Sequence, residues 1–524
     1  MKNLHFKFIG SICLFLFAAV TTSAQVVTPV DTIKPGNGPR KEQLKQIKEV
    51  KAKTLVDSTN NEPTKHPLID TTIQNKYGDL LNDDITLNKK YPIWKPALQV
   101  VGVNVFTWAM DRFLLNEDFA RVGPSTWKNN FQKGWEWDAD RFGVNFIGHP
   151  YTGSMYFNAA RSQGYNYVQS IPFAIGGSLI WEYFGETTRP SYNDLINTPL
   201  NGAFLGEIFY RLSSNILDDR TTGGNRVFRE IAAGLVDPVR GLNRLLQGKS
   251  FRKTTTEVYQ KEPLNITIFT GLHKINQDNR KVFGQGPTEA LINLQFDYGN
   301  PFEQRYRKPF DFFRLRTEFS FGSGRKLLDN LTGYGILLGD NTGTKTRFGK
   351  LSVLYGLFQY DDYWDNKTFE LGALGIGGGV FTKYPVSDNI NLYTNAHLAL
   401  IPLAGNSTRF GPDTTQVRDY TFDNGIEAKF ESTLNVGNAL SASFVYYYFF
   451  LHTYVGTPGV NNISILKPRL TVNITKNISL GFEHFIYYND RYLKNLPGLY
   501  SVRTEQKLFI SWFLEDQQRK GRYN

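Results

Sequence analysis

Phe313-Arg314-Leu315-Arg316-Thr317-Glu318-Phe319-Ser320-Phe321 alternates bulky, mostly apolar side chains with charged or small polar ones. A period of two puts Phe313, Leu315, Thr317, Phe319 and Phe321 on one face of a strand and Arg314, Arg316, Glu318 and Ser320 on the other. The pattern recurs downstream. Ile426, Ala428 and Phe430 alternate with Glu427, Lys429 and Glu431, Leu470, Val472 and Ile474 with Arg469, Thr471 and Asn473, and Leu508, Ile510 and Trp512 with Lys507, Phe509 and Ser511. Such segments number about twelve, and many reach about ten residues, enough to cross a bilayer on a tilt. Strands of soluble sheets average about five or six, which counts against a β-sandwich. Aromatic clusters at Tyr446 to Phe450 and Phe485 to Tyr488 suit the interfacial girdles of a membrane barrel. The fold class is therefore mainly β: an antiparallel transmembrane β-barrel of about twelve strands over 260–514, followed by a polar tail at 515–524.

Connection lengths support the same reading. Thr475 to Asn477, Asn435 to Asn438 and Val386 to Asn389 are short, whereas Gly405 to Arg418, His452 to Asn462 and Asn489 to Leu499 are longer. Outer-membrane barrels alternate short periplasmic turns with longer external loops. The expected placement is the outer membrane, with the N-terminal regions and the C-terminus in the periplasm.

The N-terminus agrees. Lys2 and Lys7, the apolar run Phe8 to Val20 and the small residues Thr22-Ser23-Ala24 form a secretory signal over 1–24. The only cysteine, Cys13, lies inside it, so the mature chain has no thiol for a disulfide. Residues 25–91 are polar and Lys-, Asp- and Asn-rich, the composition of a disordered periplasmic extension. Residues 92–250 differ again. Val100 to Leu115, Ile171 to Phe184 and Asn193 to Leu217 space apolar residues by three and four, with Ser191, Asn193 or Asp194 as caps, which predicts a small helical domain acting as plug or periplasmic cap.

A formal charge of +11 raises the question of nucleic acid, but an exported chain does not meet it and shows no basic-aromatic stripe. The inward-facing charges Arg314, Arg316, Glu318, Glu427, Lys429, Glu431, Lys467, Arg469, Glu483, Arg503, Glu505 and Lys507 are mixed in sign. A selective pore favours rings of one sign. Mixed sign predicts salt bridges across a narrow lumen.

His149-Pro150-Tyr151-Thr152-Gly153-Ser154, Ala160-Arg161-Ser162-Gln163-Gly164, Trp181-Glu182, Glu186, Pro190 to Leu195, Thr198-Pro199 and Gly202 to Glu207 carry a likeness. Over residues 148–211 the sequence resembles an uncharacterised bacterial family, domain-of-unknown-function family 3943. The resemblance implies an envelope protein with a barrel behind the motif region, and brings no established activity or catalytic residue.

The same region gathers the candidate functional residues His149, Ser154, Arg161, Glu182, Glu186, Asn193, Asp194, Glu207 and Arg211. Buried charge must be paired, so the cluster is either an ion network or an active site. Glu207 and Arg211 are four apart, the spacing of an intrahelical ion pair, and Glu182 and Glu186 share that spacing, which calls for a cation such as Arg161 or Arg189. No metal is expected, since a single histidine without an H-E-x-x-H spacing is a poor zinc signature, and no cofactor motif is present. Gly153-Ser154-Met155 lacks the G-x-S-x-G turn of a hydrolase, so Ser154 reads as a turn or cap hydroxyl. The glycines of Gly372 to Gly379 lack the Lys and the Ser or Thr of a P-loop and read as places where the wall bends or an internal helix approaches.

The functional expectation is a passage or binding scaffold for an envelope component. The alternatives are a structural or assembly factor, and a lipid or glycan hydrolase using the His149/Glu182/Asp194 region. The expected partners are outer-membrane lipid, the barrel-assembly machinery and an unidentified small-molecule or lipid ligand.

Overall fold

The structure, a computed structural model, describes residues 90–255, 257–276, 281–303, 306–322, 327–408 and 418–515. The signal, nearly all of the polar extension and the tail beyond Glu515 lie outside the described residues.

Twelve antiparallel strands close into a barrel: β1 Leu264–Ile275, β2 Thr288–Tyr298, β3 Phe313–Phe321, β4 Leu328–Thr346, β5 Gly349–Asp365, β6 Glu370–Ser387, β7 Ile390–Ser407, β8 Tyr420–Val436, β9 Leu440–Val455, β10 Gly459–Asn473, β11 Ile478–Leu493 and β12 Leu499–Leu514. Closure is made by β1, whose Ile266 faces Phe296 of β2 on one side and Leu514 of β12 on the other. No edge strand is left to pair with another chain. The alternation at Phe313 to Phe321 forms β3 as expected.

The loops are shorter than the sequence indicates. β9 and β10 run through most of His452 to Asn462 and leave only 456–458 as the turn; β11 and β12 likewise leave 494–498. Cross-strand pairing carries the ladder further than hydropathy does, because polar residues near the rim still satisfy one another through the backbone.

Among the described residues seven α-helices precede the barrel: α1 Trp94–Ala109, α2 Pro124–Gln132, α3 His149–Arg161, α4 Tyr167–Ile180, α5 Tyr192–Ile216, α6 Gly223–Val236 and α7 Pro238–Leu246. α1, α3 and α4 adjoin π-helical turns at Met110–Leu115, Val144–Gly148 and Trp181–Gly185. Ser191 caps α5, its hydroxyl accepting the Asp194 N–H at 3.2 Å, so Asn193 and Asp194 lie in the first turn and not at the cap. α3 and α5 cross where Gly153 meets Gly202: a Cβ on Gly153 would stand 1.8 Å from the Thr198 carbonyl oxygen. Only glycine permits that approach.

The faces of the strands settle where the helices sit. Arg316 of β3 reaches Glu431 of β8 at 2.7 Å, and Lys507 of β12 reaches Glu318 of β3 at 2.6 Å. Lys429 of β8 pairs with Asp362 of β5. Strands so far apart in the ring can meet only across the interior, so these side chains face the lumen. The intervening residues therefore face out. On β5 those are Gln359, Asp361 and Tyr363, and each touches a helix or its flank: Gln359 accepts the Tyr167 hydroxyl at 2.7 Å, Asp361 accepts Asn201 at 3.1 Å, and Tyr363 stacks on Phe142. The helical layer is thus packed against the outer wall of the barrel and not inside its lumen; of the plug or periplasmic cap expected from sequence, the plug is not what forms. One apolar core joins Phe157, Phe204 and Ile208 of the helices to Leu294, Phe296, Phe313 and Leu315 of the wall.

Candidate functional site

His149 opens α3 directly after the π-helical turn, with Pro150 in the first turn, where its missing N–H costs nothing. Its Nε2 lies 3.5 Å from Asp194 Oδ1 and 3.8 Å from Asp140 Oδ2. Asn193 ties the acids together, its amide donating to Asp138 at 2.7 Å and to Asp194 at 3.1 Å. Asp138 also accepts Asn145 at 2.8 Å, and the Ser191 hydroxyl donates to Asp194. The cluster is fastened to the wall: Asn145 donates to the Tyr420 hydroxyl at 2.6 Å, that hydroxyl donates to the Asp140 carbonyl at 2.8 Å, and Arg418 donates to the carbonyls of Trp137 and Asp138. Phe146 enters the space left by Gly372 of β6 and Gly405 of β7, so the glycines of β6 admit an aromatic from the outer side. All these wall contacts lie at the rim opposite the one where the chain enters β1.

Glu182 is fully buried beside this group. One carboxylate oxygen accepts the Ser191 N–H at 2.6 Å, and the other has no hydrogen-bond partner. Neither expected cation serves it. Arg161 is bound to Glu207 at 2.7 Å and Arg189 to Glu136. Burial pushes the Glu182 carboxyl up to about 8, against attraction from His149. Burial, with repulsion from Asp138 and Glu182, also holds Asp194 well above the usual carboxylate range. Asp138 goes the other way: hydrogen bonds from Asp194, Asn145 and Asn193 outweigh its burial and lower it. Burial opposes charge on His149, yet Asp140, Glu182 and Asp138 together keep its pKa above the ordinary imidazole value. The arrangement sets a carboxyl held low, Asp138, beside one held high, Asp194, with the His149 imidazole alongside. Chemically it can store a proton and exchange it with a bound group.

Glu186 stays within electrostatic reach, since burial with repulsion from Glu182, Asp140 and Asp138 holds its carboxyl well above the usual range, whereas Arg161, Glu207, Arg211 and Ser154 separate from the cluster. Glu207 is a structural hub: Arg161 and Arg211 both bind it, the latter at 2.8 Å with the i,i+4 spacing read from sequence, and Arg211 reaches on to Asp311 at 3.3 Å. Glu182 and Glu186 share no helix face, because Trp181–Gly185 is a π-helical turn and Glu186 is extended. The Ser154 hydroxyl donates to the Tyr151 carbonyl at 2.6 Å within its own helix, and among the described residues it makes no hydrogen bond to His149. A Ser154–His149 dyad is not assembled.

Sequence reasoning missed Asp138 and Asp140. Trp135-Glu136-Trp137-Asp138 shows no helical or strand period, and its only signal is two acids next to aromatics. Just past the end of α5, Asp219 binds Arg226 at 2.9 Å and Arg244 at 3.0 Å, and accepts the Tyr259 hydroxyl at 2.8 Å. Among the described residues one group of metal-ligand type comes together, His273, Glu318 and Asp329 in the lumen. Both oxygens of Glu318 are taken by Lys507, at 2.6 and 2.8 Å, so this group is first an ion pair.

Residues 134–239 match the family model of a domain of unknown function, DUF3943. The DUF3943 segment contains every member of the cluster from Asp138 to Asp194, together with Glu207 and Arg211, while the barrel lies beyond it. No curated protein matches the chain. Among solved structures the chain is similar to the outer membrane channel DcaP of Acinetobacter baumannii, at 9% identity and a TM-score of 0.22 over 48% of this chain and 96% of that one. It is similar also to the NanC porin, at 9% identity and a TM-score of 0.27 over 47% and 98%. The anion-selective porin from Comamonas acidovorans gives 9% and 0.23 over 48% and 98%. Likeness at this level concerns the barrel fold alone.

Proposed function

We propose that this chain is an outer-membrane barrel that serves as a binding scaffold for an envelope component, held on its helical layer, and not an open passage. The observation that carries this reading is the lumen itself. Arg314 and Arg316 close on Glu431, Lys429 on Asp362 and Glu427, and Lys507 on Glu318, so ion pairs cross the interior at several levels. Such pairs are buried and mutually neutralising, and opening them for a solute would leave charges uncompensated. Outer-membrane placement is supported by the exposed apolar outer face, with Leu398, Leu400, Phe430, Phe444, Leu470 and Leu508 all turned outward. Ile266 of β1 pairs with Leu514 of β12, so both ends of the barrel chain reach one rim, in keeping with a periplasmic start and end. Insertion by the barrel-assembly machinery follows from that placement. Purified protein in a planar bilayer should give no stable unit conductance, and steady single-channel steps would defeat the scaffold reading.

A second reading rests on one arrangement, Asp138 and Asp194 bridged by the Asn193 amide with His149 3.5 Å from Asp194. An envelope lipid or glycan hydrolase could use such a pair as acid and base. It is tested by Asp138→Asn and Asp194→Asn in a deletion strain: folded barrels that fail to restore the phenotype favour chemistry, and full restoration excludes it.

A further inference from the structure

The helical layer is built inside out. Arg161, Glu207, Arg211, Asp219, Arg240 and Arg244 are all buried, bonded to one another, to other residues of the helices and to the segments that lead into β1 and β3. The side turned away from the wall is apolar. On α1 and the turn after it Leu98, Val105, Phe106, Phe113 and Leu114 are exposed, the last two 72%. From Pro96 to Met110 that stretch has no charged residue. On α6 and α7 the exposed positions include Phe228, Ile231, Leu245 and Leu246, while Arg226, Arg240 and Arg244 of the same helices point inward. A helix in water buries its apolar stripe and solvates its charges. Here the order is reversed in three helices at once.

The wall says what covers this face. Leu294 in mid-β2 and Leu315 in β3 are buried under the helices, whereas Phe444 in β9, Leu480 and Phe482 in β11 and Leu508 in β12 stand exposed around the rest of the ring. An inserted barrel is ringed by hydrocarbon on every side, so a layer packed on mid-strand positions lies at the same depth as the bare belt. The exposed helix faces continue that belt where the strands lose it. No described helix is long and apolar enough to cross a membrane alone. What is required is contact along one side, and α5, with 25 residues, is about 37 Å long, against about 30 Å of hydrocarbon. α2 differs, since apart from Phe131 its exposed side chains Ser125, Lys128, Asn129 and Gln132 are polar, which places it toward the edge of the apolar zone.

We infer that α1, α6 and α7 face the acyl chains of the bilayer, so that the domain is an integral membrane layer beside the barrel and its polar network is sealed between lipid-facing helices and wall. This rests on the barrel being inserted in a membrane, and the experiment separates the two. The mature chain as read from the sequence has no cysteine, since Cys13 is the only one, so single cysteines at Phe106, Leu245, Leu398 and Lys128 can each carry a bimane. The mature protein is folded into phosphatidylcholine vesicles with or without brominated chains. Expected is quenching by brominated lipid at Phe106→Cys and Leu245→Cys to the same extent as at Leu398→Cys, with aqueous iodide quenching only Lys128→Cys. Iodide quenching at the helix positions, with Leu398→Cys still lipid-quenched, overturns the inference and leaves the barrel intact. Quenching by neither at the helix positions means a second copy or another protein covers the face, and overturns it equally. Iodide quenching at Leu398→Cys itself refutes membrane insertion of the barrel.

Discussion

Asn201 of α5 donates to Asp361 of β5 at 3.1 Å, on the face of the strand opposite to Asp362, which pairs across the lumen with Lys429. Two adjacent acids on one strand therefore serve two different compartments. Asp361 helps hold a helical layer on the outside of the wall, and Asp362 helps close the inside. A domain held this way moves with the barrel and cannot act as a removable plug.

The α3–α5 crossing should be the most sensitive point of the layer. Gly153→Ala places a methyl against the Thr198 carbonyl, and neither backbone can withdraw without shifting a helix. A cost of about 1–3 kcal/mol is expected for such overpacking. Limited proteolysis should show helices released more readily, while the heat-modifiable gel shift of the barrel stays as in the parent.

Two buried glutamates should respond oppositely to loss of charge. Glu207→Gln strands Arg161 and Arg211, and should destabilise the helical layer by about 3–5 kcal/mol. Glu182→Gln replaces a carboxyl that no arginine or lysine binds and that accepts one backbone N–H, and should cost within about 1 kcal/mol. Denaturant melts followed by tryptophan fluorescence check the pair, and equal losses would contradict the assignment.

Stability of the layer should fall as pH rises. Glu182 is pushed up to about 8 from 4.5, Asp194 is raised well above 3.8, and His149 is raised from 6.5. A group whose folded pKa is raised gives its full contribution below the unfolded value and loses it as pH passes the folded one. All three therefore favour the layer in acid, and the loss should build between about pH 5 and pH 8. Hydrogen exchange of α5 amides at several pH values, corrected for intrinsic rate, measures it, and Glu182→Gln should flatten the profile.

Much of the barrel was legible because its residues alternate. Phe313 to Phe321 and Ile426 to Glu431 each commit one face to apolar surroundings and the other to charge, and the mixed inward charges do meet across the lumen as Arg316–Glu431 and Lys507–Glu318. The position of the helices was not legible from helical periodicity, which reports that a face is buried but not on what. A signal did exist. Gln359 and Asp361 put polar side chains on the outer face of β5, where lipid would reject them, and only a covering protein layer explains that. The cluster was half visible: the sequence grouped His149, Glu182, Glu186 and Asp194 without their geometry, a π-helical turn breaks the four-residue spacing of Glu182 and Glu186, and Asp138 lies in a segment without periodicity.

The lumen should be closed by charge pairing more than by bulk. Glu431 holds both Arg314 and Arg316, so Glu431→Gln leaves two guanidiniums facing one amide. Urea unfolding followed by gel mobility should show a loss of about 3–5 kcal/mol, and added salt should change it little because the pairs are buried. A variant as stable as the parent would mean that these pairs contribute nothing.

The most direct test of the account is which face of β5 the helices touch. With no native cysteine in the mature chain as read from the sequence, Asn201→Cys can be combined with either Asp361→Cys or Asp362→Cys and treated with a short bis-thiol linker in isolated outer membranes. The account predicts an intramolecular cross-link with Asp361→Cys and none with Asp362→Cys. A cross-link through Asp362→Cys in its place would put the helices in the lumen and contradict it.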